Sequence, residues 1–255
     1  MRTVGVKNVV LGEGRPKILV PIAATTSADA IAAAARLGAE AGLDIIEFRV
    51  DYLDIAFDTP RLARLTRTVA EVAPGKPLLV TFRTKAEGGA AALSDAAYAE
   101  FYGAVLRERS ADLIDVELMR DERVVRGLVA AAHTAGVPVV MSNHDFAGTA
   151  PTEELVGRLR RMQELDADVL KIATMPQDAG DVLKLLSATW IMHSQYAERP
   201  LITMAMAGKG VLSRLAGELV GSAATFGMVG TPSAPGQMAL PDLKATLELI
   251  SRSMK

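Results

Sequence analysis

The feature that most limits what this chain can fold into is a unit that recurs along it: a short apolar strand, a polar or glycine-bearing loop, then an amphipathic helix. Strands are expected at Lys17 to Ala23, Asp44 to Val50, Pro77 to Arg83, Asp112 to Leu118, Val137 to Asn143, Asp168 to Thr174, Pro200 to Met206 and Ser222 to Met228. Helices are expected near Ala28 to Ala41, Pro60 to Val72, Ser94 to Arg109, Arg123 to Ala135, Thr152 to Leu165, Ala179 to Tyr196 and Ser213 to Leu219, and finally Pro241 to Ser253. Ser94 and Asp242 stand where caps belong, and Pro60, Pro151 and Pro241 suit first turns. Strand–helix units in unbroken succession, with no linker-like segment between them, predict one α/β domain over residues 1–255, a (β/α)8 TIM barrel. Such a barrel typically takes about 250 residues. Ahead of the first unit, residues 1–15 hold two β-like pieces between Val4 and Leu11, broken near Lys7 and Asn8 and followed by Gly12-Glu13-Gly14. A hairpin closing the bottom of the barrel is expected there.

Composition narrows the function classes. A formal charge of −2, with lysines and arginines scattered along the chain, argues against nucleic acid as a partner. No apolar run approaches the roughly 18 residues of a membrane span, and the start MRTVGVKNVVLGEGRPK lacks the continuous apolar core of a signal peptide, so a cytoplasmic protein is expected. The absence of cysteine removes disulfides, a thiol nucleophile and thiolate zinc sites. The three histidines are dispersed without ligand spacing, so no metal is expected.

Side chains of a strand alternate between its faces, so each strand divides into a helix-facing and a lumen-facing set. Around Asp44 to Val50, Ile46, Phe48 and Val50 take one face and leave Glu47 and Arg49 on the other. The same count turns Thr81 and Arg83 inward from Val80 and Phe82, and Asp115 and Glu117 inward from Ile114, Val116 and Leu118. Leu170 and Ile172 leave Lys171 facing the lumen. Barrel enzymes place their chemistry at the C-terminal ends of the strands, and these charges fall mostly there. A salt-bridge network that only fixes register is the competing explanation; it would favour matched pairs over an isolated lysine beside several arginines.

Lys171 lies within DADVLKIATMPQ, a run whose neighbours read as an interior strand. A buried ammonium must be paired or shed its proton, and a neutral, desolvated lysine attacks ketones to form Schiff bases. Ending the strand at the surface, with the amine in water, is the alternative for such a residue. His144 follows the apolar run of the fifth strand at the rim, within reach of a substrate held over Lys171, whereas His133 and His193 fall in helical stretches. The loop from Arg83 to Gly89 brings Glu87 just beyond an inward arginine, with Gly88 and Gly89 as a pair that lets the loop fold over a ligand. Ser233 and Gln237 offer a hydroxyl and an amide on a flexible segment suited to closing over substrate, and Arg214 opens the seventh helix, where it can meet an anionic group bidentately. Gly208-Lys209-Gly210 lacks the spacing of a phosphate loop.

Taken together, DVEL at 115–118, VVMSNHD at 139–145, DADVLKIATMPQ, PLITMAM at 200–206, SRLAGE at 213–218, GSAATFG at 221–227 and SAPGQ at 233–237 resemble type I 3-dehydroquinate dehydratase. EFRVD at 47–51 and TFRTKAEGG at 81–89 agree, and the resemblance covers nearly the whole chain. It implies a cofactor-free, homodimeric barrel enzyme that dehydrates 3-dehydroquinate to 3-dehydroshikimate on the route to aromatic amino acids. Within it Lys171 would be the Schiff-base lysine, His144 the general acid/base and Glu87 the residue that positions His144 or assists proton movement. Arg214, for which spacing alone allows a surface arginine equally, would with Ser233 and Gln237 grip the substrate carboxylate, Glu47, Arg49 and Arg83 would contact ring hydroxyls, and Met204 and Met206 would pack on the ring or be ordinary core methionines. Where relatives often carry a polar residue near the end of the first strand, this chain has Pro21, so no hydroxyl contact is assigned there. A Schiff-base aldolase is the enzymatic alternative, with a phosphate site around the seventh and eighth strands for a sugar-phosphate substrate. A silent barrel that only binds a hydroxy acid is the non-enzymatic one. Biosynthetic and quinate-degrading roles are equally compatible with the sequence.

Overall fold

The computed structural model describes residues 2–230 and 236–254. Barrel strands β3 (Lys17–Ile22), β4 (Ile45–Arg49), β5 (Leu78–Thr81), β6 (Leu113–Glu117), β7 (Val139–Asp145), β8 (Val169–Thr174), β9 (Leu201–Ala205) and β10 (Ala224–Met228) run parallel in sequence order. β3 pairs with both β10 and β4, and a bridge between Leu201 and Ser222 joins β9 to the β10 side, so the sheet curls into a barrel. A short strand β11 (Met238–Ala239) pairs parallel with β10. Helices α1 (Ser27–Gly38), α2 (Thr59–Val72), α3 (Asp95–Glu108), α4 (Glu122–Thr134), α5 (Thr152–Glu164), α6 (Ala179–Ile191) and α9 (Leu240–Ser253) accompany the strands.

The cuts expected from sequence agree with these elements to within a few residues, with three differences. The segment Ser213 to Leu219 is not one helix: α7 (Val211–Leu215) and α8 (Gly217–Val220) are separated at Ala216. α7 starts early because the 3-10 turn Gly208–Gly210 leads directly into it, with Ser213 Oγ donating to the Gly210 carbonyl and accepting from Ala205 N–H. Arg214 is therefore near the end of a short helix, not at its opening. Asp242 lies inside the first turn of α9, whose cap is Ala239, and Pro151 caps α5 instead of entering its first turn.

The hairpin forms as expected, with β1 (Val4–Val6) antiparallel to β2 (Val9–Leu11) across a Lys7-Asn8 turn. Its apolar side chains Val4, Val6, Val9 and Leu11 pack against Leu19, Ile45, Leu79, Leu113, Val140, Val169, Ile202 and Ala224. Each barrel strand thus contributes one apolar residue near its N-terminal end, and the hairpin plugs that layer. Counting two residues onward along β4 to β10 reaches Glu47, Thr81, Asp115, Ser142, Lys171, Met204 and Phe226, so the inward faces of β4 to β8 turn polar immediately above the plug while those of β9 and β10 stay apolar. Outward residues such as Ile46, Val80, Ile114, Met141 and Ile172 enter the separate core between sheet and helices.

Candidate active site

Lys171 is 3 % exposed, deep inside the barrel. Its Nζ lies 3.2 Å from Asp115 Oδ2 and 3.4 Å from Glu47 Oε1, and 4.7 Å from the centre of the Phe226 ring. The burial agrees with the sequence, but the amine is not isolated beside arginines, because two carboxylates pair with it. Carboxylates from β6 and β4 meet the amine because barrel closure brings inward positions of non-adjacent strands together. The competing explanation of a charge network is thus partly realised, but the network borders a cavity instead of filling the lumen.

Arg83 organises the other half. Nη2 donates to Asp115 Oδ1 at 2.7 Å, while Nη1 donates to Glu117 Oε1 at 3.0 Å, Glu87 Oε2 at 3.2 Å and Ser142 Oγ at 3.0 Å. Burial works against this charge, yet Asp115, Glu117 and Glu87 outweigh it and hold the guanidinium above its ordinary range. Asp115 is likewise buried, but Arg83 and Lys171 keep its carboxyl below the usual value.

Glu87 sits in the 3-10 turn Lys85–Glu87, buried, and its Oε2 meets both His144 Nδ1 and the His144 backbone N–H at 3.0 Å. Because Oε2 already accepts from Arg83 and from that backbone N–H, the network assigns the proton of this contact to Nδ1 and leaves Nε2 as the basic nitrogen. Burial, reinforced by Glu117 and Asp115 and opposed by Arg83 and Asn143, pushes the Glu87 carboxyl up to about 7. Burial and the positive charges of Arg83, Lys171 and Arg49 pull His144 well below the ordinary histidine value. The imidazole is therefore neutral at neutral pH, the form a general base needs. Asn143 Nδ2 donates to Glu87 Oε1 at 3.3 Å, and its Oδ1 accepts from Arg158 Nη1 at 2.8 Å, which fixes the orientation of the amide.

The cavity over Lys171 measures about 200 Å³. Its walls include Glu47, Arg49, Arg83, Glu87, His144, Met204, Met206, Arg214 and Gln237, so these positions, drawn from separate parts of the sequence, meet in one place. Ser233 lies outside the described residues. Arg214 is buried beside Met204 and the Phe226 carbonyl, and that burial pulls its guanidinium down to about 10. Tyr52, Phe146, Ala173 and Phe226 also line the cavity and were missed. Phe226 was findable, since the alternation that turns Lys171 inward turns Phe226 inward too; Tyr52 and Phe146 follow strand ends, where no alternation applies.

The glycine pair has a different cause from the one expected. Gly88 has φ +79, and a Cβ there would lie 2.1 Å from Phe146; a Cβ on Gly89 would lie 1.8 Å from the Arg83 carbonyl. The pair lets the loop double back on Arg83, which is what presents Glu87. Lys209 donates to the Gln177 carbonyl, His133 contacts Asp168 at the surface, and His193 packs against Gly221, so none of the three takes part in the cavity. Pro21 lines a separate groove with Asp29 and Val229. Among the described residues no group of three or more His, Asp or Glu side chains is arranged to hold a metal, and no helix is long and apolar enough to cross a membrane.

Comparisons with known proteins agree with this geometry. The model of the family type I 3-dehydroquinase matches residues 18–254. The chain is 47 % identical over 253 residues to a 3-dehydroquinate dehydratase of Shigella boydii, covering 99 % of this chain and 100 % of that one. It is similar to the crystal structure of a type I 3-dehydroquinate dehydratase from Clostridium difficile carrying covalently modified comenic acid, with 45 % identity, a TM-score of 0.95 and 99 % of each chain covered. The 3-dehydroquinate dehydratase of Enterococcus faecalis is 42 % identical at a TM-score of 0.91, covering 96 % of this chain and 98 % of that one. With the family model spanning nearly all of the barrel and relatives matched end to end, this chain belongs to the type I 3-dehydroquinase family.

Proposed function

We infer that the chain dehydrates 3-dehydroquinate to 3-dehydroshikimate through an iminium between Lys171 and the substrate ketone, with His144 moving the proton and Glu87 holding His144 in place. The observation that carries this reading is the meeting of a buried lysine, a neutral imidazole and three arginines, Arg49, Arg83 and Arg214, around one cavity. Family membership supports the reaction class and argues against the aldolase alternative.

Lys171 Nζ adds to the carbonyl carbon, and loss of water gives the iminium, an electron sink that acidifies the adjacent carbon. Asp115, held low, is a poor proton acceptor and serves as counter-charge, whereas Nε2 of neutral His144 is a base bordering the same space. His144 removes the proton next to the iminium. The resulting enamine expels the β-hydroxyl, which takes that proton back from the imidazolium and leaves as water. Hydrolysis of the conjugated iminium releases product and restores the amine. Glu87 supports the imidazolium through Nδ1.

Arg214, Gln237 and Ser233 take the substrate carboxylate in this reading, Glu47 and Arg49 meet ring hydroxyls, and Met204 and Met206 lie along the ring. Arg83 borders the cavity and also ties together the carboxylates of Asp115, Glu117 and Glu87. Family likeness further supports a homodimer, and that likeness with the cysteine-free composition supports a cytoplasmic location. Incubation with 3-dehydroquinate tests the activity: the absorbance of a conjugated product is expected to grow with the intact chain and to be absent with Lys171→Ala. Equal rates for the two proteins would refute the role given to Lys171.

A further inference from the structure

The segment EFRVD supplies Glu47 and Arg49 to the cavity, but its last residue has so far carried no role. Asp51 lies in the 3-10 turn Val50–Tyr52 and is 2 % exposed. Its Oδ1 accepts from Arg49 Nε at 2.8 Å and from the backbone N–H of Arg83 at 3.3 Å. Its Oδ2 accepts from Arg49 Nη2 at 2.8 Å and from the backbone N–H of Ala90 at 3.0 Å. The Tyr52 ring lies 4.8 Å from the centre of the same guanidinium.

This carboxylate does two jobs at once. Toward Arg49 it forms a two-point charge-assisted pair that, with the Tyr52 face, fixes the plane of the guanidinium and leaves Nη1 outside the clamp. Toward the loop it collects the amides of Arg83 and Ala90, which bracket Glu87. An ion pair that served only to neutralise Arg49 would have no need of those amides. Resting on the dehydratase reading above, we propose that Asp51 is a positioning residue: it fixes Arg49 for the substrate and fixes the 83–90 loop, and so Glu87, for His144.

Asp51→Asn disturbs both arms, because an amide nitrogen then faces donors that a carboxylate oxygen accepted, and an Arg49→Ala background separates them. Relative to wild type, KM for 3-dehydroquinate is expected to rise about tenfold through Arg49 and kcat to fall about tenfold through the loop, within the roughly 10²-fold that misplacing a group by about 1 Å can cost. In an Arg49→Ala background, the same change is expected to leave KM where Arg49→Ala alone puts it and still lower kcat. A variant that had only lost folded protein would lower apparent kcat and leave KM unchanged. Wild-type KM and kcat in Asp51→Asn would overturn the assignment, as would complete loss of its kcat effect in the Arg49→Ala background. If Asp51→Asn does not fold, amide exchange in the wild-type protein decides: the Arg83 and Ala90 amides are expected to be protected, and exchange at open-chain rates would refute the clamp. A wild-type protein that forms no product would instead overturn the dehydratase reading itself, and the Asp51 role with it.

Discussion

In the proposed mechanism proton transfer depends on one histidine that is kept neutral and one glutamate that is kept near the point of half-ionisation. His144→Ala is expected to retain imine formation on Lys171 while turnover falls by about 10² to 10⁴, the usual contribution of a general acid/base; undiminished turnover would remove His144 from the mechanism. Since burial and cationic neighbours pull His144 down, the acid limb of kcat/KM is expected to lie below the ordinary histidine range, and an inflection near 7 reports Glu87 within the coupled pair. Asn143 donates to Glu87 and favours its ionised form, so Asn143→Leu is expected to move that inflection upward. A pH–rate profile identical to wild type would contradict this. Stability carries the same signature. A carboxyl whose folded value is raised from 4.5 to about 7 contributes fully when protonated at low pH and loses that contribution as pH rises through about 7. Relative to Glu87→Gln, the wild-type protein is therefore expected to lose about 3 kcal/mol of unfolding free energy on going from acid to alkaline pH, measured by denaturant titration.

At the scale of elements, strands carry both the plug and the site, one above the other. Leu11 of the hairpin is 1 % exposed and packs beneath the charged layer, so Leu11→Ala is expected to cost about 3 kcal/mol and leave kcat unchanged. A large drop in kcat in a protein still folded would show that the hairpin shapes the site as well as closing it. Strand alternation made much of this legible: the two-residue count alone turned Glu47, Thr81, Asp115 and Lys171 inward. Pairing across the barrel was not legible, because the contact of Asp115 with both Arg83 and Lys171 depends on how far neighbouring strands are staggered. The role of Asp51 was hidden for a related reason, since it follows the end of β4 and binds backbone amides of a loop distant in sequence. The break at Ala216 was missed because apolar periodicity continues across it while the backbone turns.

For the whole molecule, barrel closure is what turns separate inward charges into one site. An open sheet would leave the carboxylates of β4 and β6 far from the amine of β8; in the closed barrel they compensate its burial while helix-facing residues supply the core. Assembly is a separate question at this scale, and sedimentation is expected to give twice the 27.0 kDa of one chain, with a single-chain mass contradicting the dimer. The most direct test of the central claim is peptide mass spectrometry after borohydride reduction in the presence of 3-dehydroquinate. The account predicts one substrate-derived adduct, on Lys171; turnover with no adduct, or an adduct on another lysine alone, would contradict it.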